Sequence, residues 1–219
     1  CLVRGIQLWP NNIGRTLDLV HPDAVNTAFF DHVDGSKCVT SCDDGGVRIW
    51  NTNTGKLVKH FKGHTDNVNF AVFSPDDSKI ASASNDTSVI LWDSNDDNAP
   101  LNIFNNHNDV VRSVNFSPNG TEIISVDKSG VCKIFDVNSG TQLHSFSPDG
   151  IKPLWFGTYH PSGDFYLTGG NGGSVKVWDV NTNEFVKEFK IVGWVSQLAL
   201  NRDGSRLLIV DILTKEITV

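Results

Sequence analysis

The chain contains no methionine. A complete translated chain begins with one, so the sequence reads as an internal piece of a longer protein, with no signal peptide at its start. No apolar run is long enough to span a bilayer, which argues against a membrane partner. Cysteine is scarce: Cys1, Cys38, Cys42 and Cys132 form no CxxC pair and no Cys/His group at zinc spacing, so no metal site is expected. Cys38 and Cys42 lie on one face of an extended strand but too far apart to bridge. Reduced, buried thiols are therefore expected, in an intracellular compartment, cytoplasmic or nuclear. In that setting the sequon Asn119-Gly120-Thr121 carries no meaning. Basic residues are also in deficit: 18 Lys and Arg face 25 Asp and Glu, for a net charge of −7 and a pI near 5.4. Nonspecific contact with nucleic acid or anionic lipid needs surplus Lys and Arg, so neither is expected as a direct partner.

Catalytic signatures are missing as well. The sequence has no glycine-rich phosphate loop opening a helix, no G-x-S-x-G elbow and no His pair at i, i+4. Its one glycine-dense stretch, Gly169 to Gly173, precedes a strand pattern and reads as a flexible hairpin. No cofactor is implied, and no oligomeric state follows from the sequence.

What is present is a soluble composition, 39% hydrophobic, 20% charged and 10% aromatic, organised as an internal repeat. Trp9, Trp50, Trp92, Phe135 and Trp178 each close a short β-patterned run, at intervals of 41 to 43 residues. That period, with a Trp-Asp pair, is the pattern of β-propeller blades. The repeat covers residues 1–219, and its next aromatic would fall just after Val219.

Within the best-formed repeat four β-like runs are expected, at Leu57–Phe61, Val68–Phe73, Lys79–Ser84 and Ser88–Trp92. Ser74-Pro75-Asp76-Asp77 separates the second from the third. Equivalent turn formers return at Ser117 to Gly120, His160 to Gly163 and Asn201 to Gly204. Hairpin-length connections force antiparallel neighbours, giving one four-stranded sheet per repeat. The fold expected is thus all-β, with four complete blades, starting at Val25, Val68, Val111 and Leu154, and partial blades at both ends. Val3 to Trp9 reads as the third strand of a blade in progress. Rings close to remove edge strands. A five-bladed ring would require both ends to supply a third strand to one blade.

Counting back from each closing aromatic places Thr40, Ser82, Ser125 and Thr168 at ten positions, and Asp44, Asp86, Ser129 and Gly172 at six. His21, His64 and His107 are spaced 43 apart. With Gly63-His64, Ser82, Asp86 and the SVILWD run of Ser88–Asp93, the whole chain resembles the WD-repeat β-propeller family. The resemblance implies a seven-bladed ring, the number this family most often uses, and two tetrads, His21/Thr40/Asp44/Trp50 and His64/Ser82/Asp86/Trp92. In each, Asp holds His, His reaches the hydroxyl, and the hydroxyl accepts from the indole N–H. Phe135 in place of Trp, Asn51 in place of Asp, and the missing His and acid of the last two repeats are departures. Those blades are expected to rest on packing. A His, a Ser and an Asp together also suggest nucleophilic catalysis, but a constellation that recurs is structural, whereas an active site is built once. No catalytic residue is expected.

The resemblance further implies a binding platform, with the variable pairs of each innermost strand around a channel mouth. These pairs are Asn26/Thr27, Asn69/Phe70, Arg112/Ser113, Trp155/Phe156 and Ser196/Gln197. The turn residues beside them include Cys42/Asp43, Ser84/Asn85, Asp127/Lys128, Gly170/Asn171 and Ile212/Leu213. Phe70, Trp155 and Phe156, flanking Arg112 and Lys128, put aromatics beside cations, the usual composition of binding hot spots; Trp194 joins them from a loop. The expected function is a noncatalytic scaffold or adaptor in a multi-subunit complex, docking a peptide with an acidic or aromatic anchor. One alternative is a substrate receptor of a ubiquitin ligase. Cullin-linked receptors carry Trp-Asp-x-Arg, whereas this chain has Trp92-Asp93-Ser94-Asn95 and Trp178-Asp179-Val180-Asn181. Another is a regulatory propeller attached to a nucleotide-switched or catalytic domain.

Overall fold

A computed structural model of the chain describes residues 5–8, 16–96, 99–148, 150, 152–211 and 217–218. Trp9, Ile212, Leu213 and Val219, and with them the first repeat end, lie outside the described residues. The chain divides into two compact units, residues 1–106 and 107–219. Among the described residues all regular structure is β-strand.

In the first unit, β1 (Gly5–Leu8) pairs with β2 (Leu17–Val20). Blade one follows as β3 (Val25–Phe30), β4 (Lys37–Cys42), β5 (Gly46–Asn51) and β6 (Leu57–Lys62). Blade two is β7 (Val68–Phe73), β8 (Lys79–Ser84), β9 (Val89–Asp93) and β10 (Asn102–Phe104). The second unit holds blade three, β11 (Val111–Phe116), β12 (Glu122–Asp127), β13 (Cys132–Asp136) and β14 (Gln142–Phe146). Blade four is β15 (Leu154–Tyr159), β16 (Phe165–Gly170), β17 (Ser174–Asp179) and β18 (Phe185–Lys190). Last comes a three-stranded sheet of β19 (Val195–Leu200), β20 (Leu207–Asp211) and β21 (Ile217–Thr218). Every sheet is an antiparallel meander in chain order, as the short turns require. Sequence repeat and sheet are out of phase: β6 opens the repeat that ends at Trp92 but completes blade one.

Burial explains the strand compositions. The second strands β4, β8, β12 and β16 are buried at five successive positions. Both of their faces meet protein, so they read as runs of Val, Ile, Ala, Ser, Thr and Gly without alternation. The outermost strands face solvent and expose Leu57, Leu143 and Phe185. In the first unit Val39, Ile49, Phe61, Phe73, Ile80, Ile90 and Trp92 form one core. Each such side chain contributes roughly 1.5–3 kcal/mol by leaving water. In the second unit Tyr159 and Tyr166 join Ile124, Val126 and Leu154, with Phe146 and Trp178 packed against them. Tyr166 stacks on Trp178 with ring centroids 6.5 Å apart, and its hydroxyl donates to Asn183 Oδ1 at 2.9 Å. This aromatic cluster holds blade four together where the histidine is missing.

Each innermost strand carries a β-bulge at its second residue. A bulge sets two residues against one on the partner strand, which leaves the extra residue outside the ladder. The bulge therefore splits every variable pair. Asn26, Asn69, Arg112, Trp155 and Ser196 are its first members and reach solvent at least partly. Phe70 and Phe156, second members, turn back into the sheet packing, at 5% and 6% exposure. Phe70 lies against Phe29, ring centroids 5.2 Å apart. The expectation that Phe70 and Phe156 present aromatic surface to a partner is thus corrected: the alternation that exposes their neighbours buries them.

Candidate functional site

Two kinds of side-chain constellation could carry function. The first is the buried network. In blade two the Trp92 indole N–H donates to Ser82 Oγ at 2.8 Å, Ser82 Oγ lies 2.8 Å from His64 Nε2, and His64 Nδ1 lies 2.9 Å from Asp86 Oδ2. Ser88 Oγ and the Thr65 N–H also donate to Asp86. Burial opposes ionisation of Asp86, but these donors and His64 hold its carboxyl well below the usual carboxylate range. Gly63 fits because the Trp92 ring crosses it: a Cβ there would stand 2.8 Å from Trp92 Cη2.

Blade one differs from the expected tetrad. Trp50 Nε1 donates to Thr40 Oγ1 at 3.0 Å and His21 Nε2 lies 2.8 Å from the same hydroxyl, but His21 Nδ1 meets the Leu19 carbonyl at 2.9 Å. Asp44 is captured by Arg48, four residues on, through Nη1 at 3.0 Å and Nη2, and by the Gly46 N–H at 3.0 Å. A guanidinium on the same hairpin outcompetes a neutral imidazole for that carboxylate. Burial pushes the His21 pKa down, with the Leu19 carbonyl acting the other way.

Blade three has an acid that fixed-offset counting misses. His107 Nδ1 lies 2.8 Å from Asp127 Oδ2 and His107 Nε2 lies 2.7 Å from Ser125 Oγ. Ser84 and Asp86 of blade two have exchanged order, becoming Asp127 and Ser129, and Ser129 Oγ donates to Asp127 at 2.8 Å. The D-x-S swap two residues upstream was the available signal. Blade four keeps only the Trp178 bond to Thr168 Oγ1, 3.1 Å.

These networks hold strands together and are shielded from substrates. Ser82 and Ser125 are fully buried and His107 is 4% exposed, so no substrate atom could approach the hydroxyls. Among the described residues no group of three or more His, Cys, Asp or Glu side chains could hold a metal ion. Cys38, Cys42 and Cys132 are free and buried. Burial pushes the Cys38 thiol up to about 11.

The second constellation lies where the bulged residue meets the turn after the second strand. In three blades the two side chains close on each other. Asn26 Nδ2 donates to Asp43 Oδ1 at 2.7 Å, Asn69 Nδ2 to Asn85 Oδ1 at 2.9 Å, and Trp155 Nε1 to Asn171 Oδ1 at 2.5 Å. Blade three departs. There the pair is Arg112 and Lys128, and Lys128 is held at the equivalent place by its N–H to the Val110 carbonyl, 2.9 Å. Arg112 turns to the next blade instead: its Cζ sits 4.8 Å over the Trp155 ring. Its Nε is buried with no hydrogen-bond partner, and burial lowers its pKa. Trp194, 40% exposed, donates its backbone N–H to Asp211 Oδ1 at 3.1 Å.

Repeated four-stranded antiparallel meanders, tied by indole–hydroxyl bonds at equivalent positions, define blades of the β-propeller class. A family model described as "WD domain, G-beta repeat" matches residues 15–51, 55–93, 98–136 and 152–179, most of the chain, and the chain belongs to that family. A search of curated proteins returned no match. Domains of this family generally mediate protein–protein interaction and are typically noncatalytic. No helix among the described residues is long and apolar enough to cross a membrane.

Proposed function

We propose that this chain is a noncatalytic scaffold or adaptor of a multi-subunit intracellular assembly. It docks a protein partner on the bulged rim of the second unit, centred on Arg112, Trp155 and Lys128. The observation that carries the reading is the Arg112–Trp155 stack, an aromatic and a cation partly exposed at bulge positions that blades one and two fill with Asn. Folding does not require that exchange. Such a pair offers large contact area with little side-chain freedom left to lose, which is the composition of interface hot spots. Phe70 and Phe156 are left out of the docking surface because they are buried, and Trp194 is a separate, more exposed aromatic of the same unit.

The test is affinity purification of the full-length protein from its own cells beside an Arg112→Ala/Trp155→Ala version, with co-purifying proteins compared by mass spectrometry. Selective loss of one partner at unchanged abundance is expected. An unchanged partner set would move recognition to another surface. A lost partner that belongs to a ubiquitin-ligase complex would favour the receptor role over the scaffold.

A further inference from the structure

Four blades present the same small device, a bulged residue beside a turn residue, and three of them satisfy it internally. Blade three cannot. Arg112 and Lys128 are both donors without an acceptor between them, so the side-chain bond that closes the other blades has no counterpart. Trp155 holds the guanidinium over its ring, while the buried Nε stays unpaired. Such orphaned donors are few in native structures, and only Nε of this guanidinium is buried in this way, which leaves the terminal amino groups to meet an acceptor. Asp109 is the carboxylate whose charge acts on Arg112, and its Oδ1 is already engaged by the Val110 N–H at 2.7 Å.

Resting on the docking rim proposed above, we infer that blade three is an anchor site for a single carboxylate, an Asp or Glu side chain of the partner protein. The carboxylate is received by the Arg112 fork, with Lys128 at the edge and the Trp155 ring as floor. Arg112 and Lys128 sit beside two carboxylates, Asp109 and the His107-paired Asp127, so the local positive charge is small and suits a carboxylate better than a doubly charged phosphate. The partner's carboxylate supplies the acceptor oxygen that Asp43 and Asn85 supply in their own blades. Arg suits it because its planar fork meets a carboxylate through two parallel bonds.

The experiment is an NMR titration of the full-length protein with three short peptides, acetyl-Gly-Glu-Gly-amide and its Gln and phosphoserine counterparts. The side-chain resonances of Arg112 Nε–H and Trp155 Nε1–H are followed, assigned by their loss in Arg112→Lys and Trp155→Phe. The Glu peptide should shift both signals saturably, with the Gln peptide about tenfold weaker or worse, the loss of one charge-assisted bond. Lys128→Gln, at an exposed position that leaves the fold alone, should weaken the Glu peptide roughly two- to fivefold. Equal shifts with Glu and Gln would overturn the anchor while leaving the docking rim standing. No shift with any peptide would overturn the anchor, and the purification experiment judges the rim independently. Phosphoserine binding more than tenfold tighter than Glu would overturn the assignment to carboxylate.

Discussion

At the residue scale, chemically similar side chains behave differently because their neighbours differ. His21 and His64 both lie within bonding distance of a hydroxyl, yet one faces a carbonyl and the other a carboxylate. Burial keeps His21 neutral, so its contribution to stability is fully present above the unfolded histidine value of about 6.5 and is lost as pH falls below it. Asp86 and Asp127 are depressed carboxylates, despite burial, because their His partners and neighbouring donors favour the anion. Their contribution is present above the unfolded value of about 4 and is lost as pH falls below that. Thermal melts from pH 8 to pH 3 should therefore decline in two stages; His21→Gln should lessen the upper stage, which His60 shares, and Asp86→Asn the lower, which Asp44 and Asp127 share. A single decline confined below pH 4 would contradict the His21 assignment. A second residue-scale case is Thr87. It holds φ of +71° at the turn position where Gly45, Gly130 and Gly173 stand at +79°, +89° and +72°. A β-branched residue there is strained. Thr87→Gly should stabilise the protein by roughly 1 kcal/mol, strain relief of about 1–2 kcal/mol less the added freedom of the unfolded chain. Chemical denaturation reads this directly, and a lower midpoint would contradict it.

At the scale of elements, the strands were legible because hydrophobic runs and turn formers repeat in register. The five innermost strands are observed at the expected positions, from Val25–Phe30 to Val195–Leu200. The side-chain chemistry was less legible. Fixed offsets found Asp86 but misassigned Asp44, because the pattern contains nothing about Arg48 competing for it. They missed Asp127 because two positions on one turn can supply the same carboxylate. The bulge was the largest gap. It is a backbone event with no residue signature of its own, and it decides that Asn69 and Trp155 reach solvent while Phe70 and Phe156 are buried. Arg112 and Trp155 were read as exposed, and they are partly so; Phe70 and Phe156 were read the same way and are buried. Packing makes its own demand on the Gly-His pair. Gly63→Ala should cost about 1–3 kcal/mol by pushing the Trp92 indole off Ser82, seen as a lower melting temperature and a changed Trp92 Nε1–H signal. An unchanged indole signal would show that the ring yields without breaking the bond.

At the scale of the whole molecule, a net charge of −7 makes the basic pair Arg112 and Lys128 locally exceptional rather than part of a general cationic surface. Partner binding through it should weaken with salt, though only modestly, since few charges are involved. Stability rests on the buried networks, whereas the proposed recognition lies on the bulged rim. The most direct test crosses them. His64→Ala and the Arg112→Ala/Trp155→Ala variant are each measured for melting temperature and for partner retention at matched amounts of folded protein. The prediction is that His64→Ala lowers the melting temperature, by a loss of roughly 1–3 kcal/mol, and keeps its partners. The rim variant gives up the Arg112–Trp155 contact and the Trp155–Asn171 bond, a loss of about 1–2.5 kcal/mol that leaves it folded, and should lose a partner. Partner loss with His64→Ala at matched folded protein, or a full partner set with the rim variant, would contradict this division.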